Sequence, residues 1–86
     1  MNYTVLLTDY AVRQLKKLPP SVVAKLKDAI AGLANNPRPH GHIKLTNVEA
    51  YRIRVGNYRV IYEIVDSILT VTVIDVSDRK EAYKKR

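Results

Sequence analysis

The chain has 86 residues, 47% of them hydrophobic, and its 15 Lys and Arg outnumber 8 Asp and Glu to give a formal net charge of +7. This length predicts one domain, spanning residues 1–86, with one packed core. The absence of cysteine excludes disulfides, a thiolate nucleophile and Cys-ligated zinc. The positive charge favours a polyanionic partner, nucleic acid first, although charge that only maintains solubility is the alternative.

The N-terminal segment lacks the basic start and the continuous apolar core of a secretory signal. No apolar run approaches the ~18 residues that a membrane span needs. We therefore expect a soluble, cytoplasmic protein with no membrane partner.

The first half of the chain predicts a strand followed by two helices. Residues 2–7 alternate in the manner of a strand, and Thr8 or Asp9 is a suitable N-cap for the first helix. Pro19 interrupts that helix, and Pro20 suits the first turn of a second one. The predicted apolar positions are Ala11, Leu15 and Leu18 in the first helix, and Val22 or Val23, Leu26, Ile30 and Leu33 in the second.

The second half predicts strands. Residues 51–55 and 58–64 alternate in polarity around Gly56 and Asn57, which is typical of a hairpin, and residues 68–76 read as a buried strand. Ser77 and Asp78 are expected to cap a short terminal helix or turn over residues 79–86. The predicted fold class is α+β: an N-terminal strand, a two-helix hairpin packed on a mainly antiparallel sheet with one open face, and a short C-terminal helix or tail.

Three arginines, here called the arginine cluster, are predicted to converge on the open face. Arg52 and Arg54 lie on one side of a strand, and Arg59 follows the hairpin turn. Guanidinium groups match phosphate oxygens bidentately, so the cluster favours phosphate binding. The alternative is a solvated sheet face whose charge is neutralised by Glu49 and Glu63.

The C-terminal segment contains further candidates. If it is helical, Arg79 and Tyr83 share a face, so that the ring can stack on a base while the arginine holds a phosphate. Alternatively, Tyr83 only anchors a terminal helix. Further cations expected to contact RNA are Lys44, Lys80 and Lys84.

His40 and His42 are the only histidines, and either is a possible general base. The alternative is that they only lie on the surface, as most histidines in loops do. The sequence shows neither a cluster of carboxylates for a metal nor a glycine-rich phosphate loop. We expect no metal and no cofactor.

Four segments of the sequence resemble the RelE/ParE toxin superfamily. They are YRIRVGNYRVIYEI, VTVIDVSDRKEAYKKR, LKKLPPSVVAKLKDAI and NPRPHGHIKL, which together extend over nearly the whole chain. Similarity to the RelE branch implies a ribosome-dependent endoribonuclease that cuts messenger RNA through the substrate's own 2′-hydroxyl, without a metal. It also implies that Arg59 and Arg79 stabilise charge on the phosphate and that Tyr83 stacks on a base.

The match departs from the RelE pattern at two places. Arg52 and Arg54 stand where RelE has lysines, one of them the proposed general base, and arginine is a poor proton acceptor because its pKa is above about 12. Asp78 stands where many relatives carry a histidine or another basic residue. A ribosomal group, His40 or His42 is then the alternative proton acceptor.

The resemblance leaves two other functions open: a ParE-type inhibitor of DNA gyrase without nuclease activity, and a decayed toxin that only binds its antitoxin. It implies three partners for the favoured function, namely an acidic RelB-like antitoxin, messenger RNA in the decoding site and ribosomal RNA. The net charge of +7 suits each of them.

Overall fold

A computed structural model describes residues 2–78. The elements in chain order are β1 (Thr4–Leu7), α1 (Asp9–Lys16), α2 (Pro20–Gly32), β2 (Ile43–Lys44), β3 (Tyr51–Val55), β4 (Tyr58–Val65), a 3₁₀ turn (Asp66–Ile68) and β5 (Thr70–Asp78). The strands form one sheet in the order β1-β5-β4-β3-β2. The predicted α+β fold is therefore confirmed, and the predicted C-terminal helix or tail lies outside the described residues.

Both helices begin where the sequence indicates. The Thr8 side chain accepts a hydrogen bond from the backbone N–H of Ala11, which caps α1, and Pro20 occupies the first turn of α2. Leu26, Ile30 and Leu33 are buried, as the apolar spacing predicts. Within residues 2–78, neither helix has the length and apolar character that crossing a bilayer requires.

The sheet is antiparallel except at one edge. β1 pairs in parallel with β5, from Thr4 opposite Thr70 to Leu7 opposite Val73. Such a pair needs a long connection, and the intervening helices and hairpin supply it. The predicted hairpin turn is present, with Val55 opposite Tyr58 and Gly56 at a φ of 61°.

The last strand corrects the predicted boundaries. β5 begins at Thr70, because residues 66–68 form a 3₁₀ turn that ends on Leu69 in a left-handed conformation. It also continues through Ser77 and Asp78, which were expected to be helix caps. Both residues continue the pairing with β4, Ser77 opposite Arg59 and Asp78 opposite Tyr58, so their backbone groups join the sheet.

The core lies between the helices and one face of the sheet. Its fully buried members include Ala11, Leu26, Val60, Tyr62, Val71 and Val73. Tyr62 has 0% exposure, and its hydroxyl donates a 2.7 Å hydrogen bond to the Pro37 carbonyl. This bond ties the connection after α2 to the middle of the sheet and satisfies a polar group inside the core.

A second tie, here called the loop latch, consists of Tyr3, Arg38 and Asp66. Arg38 donates from Nη1 and Nη2 to the two carboxylate oxygens of Asp66, at 3.2 and 2.9 Å, and the Tyr3 hydroxyl donates at 2.6 Å. The Arg38 guanidinium also lies 5.3 Å from the centre of the Tyr51 ring. The bonds from Arg38 and Tyr3 lower the pKa of the Asp66 carboxyl, and the bond to Asp66 raises the pKa of Tyr3.

Replacing Tyr62 with Phe should reduce the free energy of unfolding by about 1–2 kcal/mol at neutral pH, because the Pro37 carbonyl loses its buried donor. Burial raises the pKa of Tyr62 to about 12. A group whose pKa is raised in the folded state stabilises the fold at pH values below its unfolded pKa of about 10. That stabilisation disappears as pH rises through the folded pKa. The gap between wild type and Tyr62→Phe in urea denaturation should therefore narrow from about pH 10 to about pH 12. Tyr58→Phe, which removes a hydroxyl from the same strand, is the control, and an unchanging gap would contradict the assignment.

Replacing Asp66 with Asn should remove part of the acid sensitivity of the fold. The pKa of Asp66 is lowered in the folded state, so the ionised carboxylate stabilises the fold fully at pH values above its unfolded pKa of about 3.9. That stabilisation disappears as pH falls through the folded pKa. Urea midpoints measured from pH 6 down to pH 2 should show a gap between wild type and variant that closes at the acid end. Glu63→Gln, at an exposed carboxylate, is the matched control.

Candidate functional site

The arginine cluster is brought together by the pairing of β3 with β4. Arg54 lies directly opposite Arg59, and Arg52 lies opposite Ile61 two positions further along the same face. The intervening residues Ile53 and Val60 pair with each other and are buried in the core. The three arginines therefore share the face that looks away from the helices, as the alternation predicts.

The cluster combines an exposed cation with two partly buried ones. Arg54 is exposed, whereas Arg52 and Arg59 are half-buried and their Nε atoms are shielded from solvent. Burial of the inner part of a guanidinium restricts the motion of its long side chain. Two of the three cations are thus held in place by the fold before any ligand binds.

The sequence predicts that Glu49 and Glu63 offset the charge of the cluster. Glu49 instead lies 3.4 Å from Lys44 in an ion pair, whereas Glu63 lies on the same face of β4 as Arg59, two positions from Ile61, the partner of Arg52. Like charges that face each other across two strands are destabilising, and Arg54 and Arg59 face each other directly. An arrangement that places like charges together against this cost is typical of a surface that binds an anion.

A network that the sequence reasoning missed supports the strand beside Arg59. A bulge leaves Ile74 as an extra residue of β5, because Ile61 pairs with Asp75 while Tyr62 pairs with Val73. Gln14 of α1 accepts a hydrogen bond from the Val76 N–H at 2.6 Å and donates one to Asp75 at 2.8 Å. Its position among the apolar residues of α1 was the available signal, since a polar side chain there points toward the sheet.

The network also includes a serine opposite the cluster. The hydroxyl of Ser77 donates to the second carboxylate oxygen of Asp75 at 3.1 Å, and Ser77 itself lies opposite Arg59. Ser77 is 8% exposed. The bulge, Gln14 and Ser77 together determine where the end of β5 stands relative to Arg59.

The two histidines lie in different surroundings. Nδ1 of His42 donates to the Pro39 carbonyl at 2.8 Å, and its ring centre is 6.0 Å from that of Tyr51. Because Tyr51 and Arg52 are consecutive in a strand, His42 lies on the side away from the arginine cluster. His40 is exposed, and it is the histidine that lines a cavity together with Arg52 and Arg54.

The remaining predicted RNA contacts are not all brought to this face. Lys44 pairs with Tyr51 in the sheet and therefore shares the face opposite to Arg52. Four predicted residues lie outside the described part of the chain, namely Arg79, Lys80, Tyr83 and Lys84. Their roles stay predictions, as does that of Lys44.

The chemistry open to the described side chains is binding and stabilisation of negative charge. Arginine donates hydrogen bonds and stays cationic, so the cluster suits the oxygens of a phosphate and is unsuited to accepting a proton. Within residues 2–78, no three His, Asp or Glu side chains lie close enough together to hold a metal ion.

Comparison with known proteins places this chain in a family. The family model for the ParE toxin of type II toxin-antitoxin system, parDE, matches residues 5–83. Putative toxin RelE1 of Methanocaldococcus jannaschii is 32% identical over 88 residues, covering 98% of each chain. Toxin RelG of Mycobacterium tuberculosis is 33% identical over 87 residues, covering 99% of this chain and all of that one.

The fold agrees with solved structures of such toxins. A chain of the toxin-antitoxin complex RelBE2 from Mycobacterium tuberculosis superimposes with a TM-score of 0.84 at 33% identity, covering 92% of this chain and 93% of that chain. Sequence and fold thus agree with the resemblance carried by the hairpin motif. This chain belongs to the RelE/ParE superfamily of toxins from type II toxin-antitoxin systems.

Proposed function

We propose that this toxin is a ribosome-dependent endoribonuclease that cuts messenger RNA in the decoding site. The observation that carries the proposal is the convergence of Arg52, Arg54 and Arg59 on one open face of the sheet. The relatives named RelE and RelG support the RelE branch. Ribosomes and messenger RNA meet in the cytoplasm, which is the compartment that this function requires.

The proposed reaction uses a hydroxyl of the substrate. The 2′-oxygen of the RNA attacks the adjacent phosphorus, the bond from phosphorus to the 5′-oxygen breaks, and a 2′,3′-cyclic phosphate and a 5′-hydroxyl result. The 2′-hydroxyl loses a proton and the departing 5′-oxygen gains one. Negative charge grows on the phosphate oxygens during attack, and Arg54 and Arg59 stabilise it.

The proton acceptor is not one of the described arginines, because each remains charged throughout. His40 lines the cavity that Arg52 and Arg54 also line, whereas His42 lies on the other face of the sheet. His40 or a group of the ribosome therefore accepts the proton in this proposal.

Replacing Arg59 with Ala should lower the rate of messenger RNA cleavage on programmed ribosomes by about 10²–10³-fold, the loss typical of removing one donor from a developing oxyanion. Single-turnover cleavage of a defined message is the measurement. Arg54→Ala, at an exposed position, should lower the rate without affecting the fold. Arg13→Ala, on the exposed face of α1, removes the same charge far from the cluster and should leave the rate unchanged. Cleavage by Arg59→Ala and Arg54→Ala at the wild-type rate would refute the site.

The matching family model is named for ParE toxins, and this favours gyrase inhibition as the second candidate function. Induction of the toxin in cells, with mapping of messenger RNA 5′ ends and a parallel supercoiling assay, separates the two. Codon-phased cuts support the nuclease. Intact messages with inhibited gyrase would establish the alternative, and intact messages with active gyrase would indicate a toxin that only binds its antitoxin.

We further propose an acidic, RelB-like antitoxin as the protein partner. The related chain from Mycobacterium tuberculosis was solved in a toxin-antitoxin complex, and the net charge of +7 suits an acidic partner. The product of the neighbouring gene should bind this toxin tightly at low salt and more weakly as ionic strength rises. Size-exclusion chromatography with a salt titration tests this, and no complex at low salt would disprove it.

A further inference from the structure

A cavity of about 640 Å³ opens between the C-terminal half of α2 and the edge of β3. Leu33 and Ile53 contribute apolar walls, and Asp28 and His40 contribute polar groups. Arg52 and Arg54, whose side chains belong to the open face, line the cavity at the edge of the sheet. This volume lies within the range of small-molecule sites, which combine apolar walls with a few polar groups.

Two features of the chain leave this space open. β2 pairs only with Tyr51 and Arg52, so the edge of β3 from Ile53 to Val55 borders the cavity. Gly32 lines the opposite wall, and a Cβ atom built on it would meet nothing within 4 Å. The cavity therefore follows from a short edge strand and a missing side chain.

We infer that the cavity is a nucleobase subsite, which takes the base of a nucleotide whose phosphate is bound by Arg52 and Arg54. A nucleotide joins a flat, partly apolar ring to an anion, and the lining combines apolar walls with two arginines. The imidazole of His40 can stack on the ring, and the carboxylate of Asp28 can accept a hydrogen bond from an exocyclic amino group. This inference rests on the proposed function, in which RNA is the substrate.

The lining also predicts which bases are preferred. Adenine, cytosine and guanine carry an exocyclic amino group that a carboxylate can bind, whereas uracil does not. We expect weaker binding of uridine nucleotides and a loss of this discrimination in Asp28→Ala. An acidic extended peptide along the edge of β3 is the competing occupant, because its carboxylates would also pair with the two arginines, so a peptide of the antitoxin is titrated as well.

The test uses the isolated full chain and small probes. Amide resonances are followed by NMR during titration with the four nucleoside 3′-monophosphates, ribose 5-phosphate and inorganic phosphate. Gly32→Leu fills the cavity from a position with room for a side chain, and Ala31→Leu adds the same bulk at the neighbouring exposed residue. Gly32→Leu should weaken nucleotide binding by at least about tenfold, because the base loses its place, and Ala31→Leu should leave it unchanged.

Tighter binding of nucleotides than of the two baseless phosphates, with shifts at Gly32 and Leu33, supports the subsite. Equal binding of all the phosphates, or no effect of Gly32→Leu, overturns it, since the arginines alone then account for binding. Shifts at Gly32 and Leu33 caused only by an antitoxin peptide also overturn it. The cleavage assay tests the proposed nuclease separately. Cleavage without nucleotide binding contradicts only the subsite, and nucleotide binding without cleavage contradicts only the nuclease.

Discussion

The register of the β3–β4 hairpin is the constraint on which the rest of the structure depends. Side chains of a strand alternate between two faces, so a slip of one residue would turn Arg52 and Arg54 into the core and Ile53 out to solvent. The two-residue turn at Gly56 and Asn57 prevents that slip by placing Val55 opposite Tyr58. Packing of the core and convergence of the arginines are thus two results of the same pairing.

The fold keeps its structural and its cationic side chains on opposite sides of one sheet. On the helix side, Tyr62 and the loop latch attach the connection after α2 to the strands through short hydrogen bonds. On the open side, Arg54 and Arg59 face each other at an electrostatic cost. Such a local conflict of like charges is a common feature of functional sites.

The arginines of this toxin also limit the chemistry that the described residues can perform. A permanent cation binds phosphate in every protonation state of the surroundings, but it neither accepts nor supplies a proton at neutral pH. In the proposed reaction the toxin therefore contributes positioning and charge stabilisation. His40 shares a cavity with Arg52 and Arg54, whereas His42 lies behind the sheet, and this distinguishes two residues that the sequence treats alike.

The sequence by itself determined the helices, the hairpin and the shared face of the three arginines, because each depends on spacing within a short segment. Periodicity, a capping Thr8 and a Gly56–Asn57 turn act locally. Only the tertiary structure decided the parallel pairing of β1 with β5, the extension of β5 through Asp78 and the contact of Gln14 with Asp75. Those features join residues that are far apart in the chain. Each of them depends on which partner segment is available, and no local pattern contains that information. The placement of Lys44 away from the cluster has the same origin, since its face follows from pairing with Tyr51.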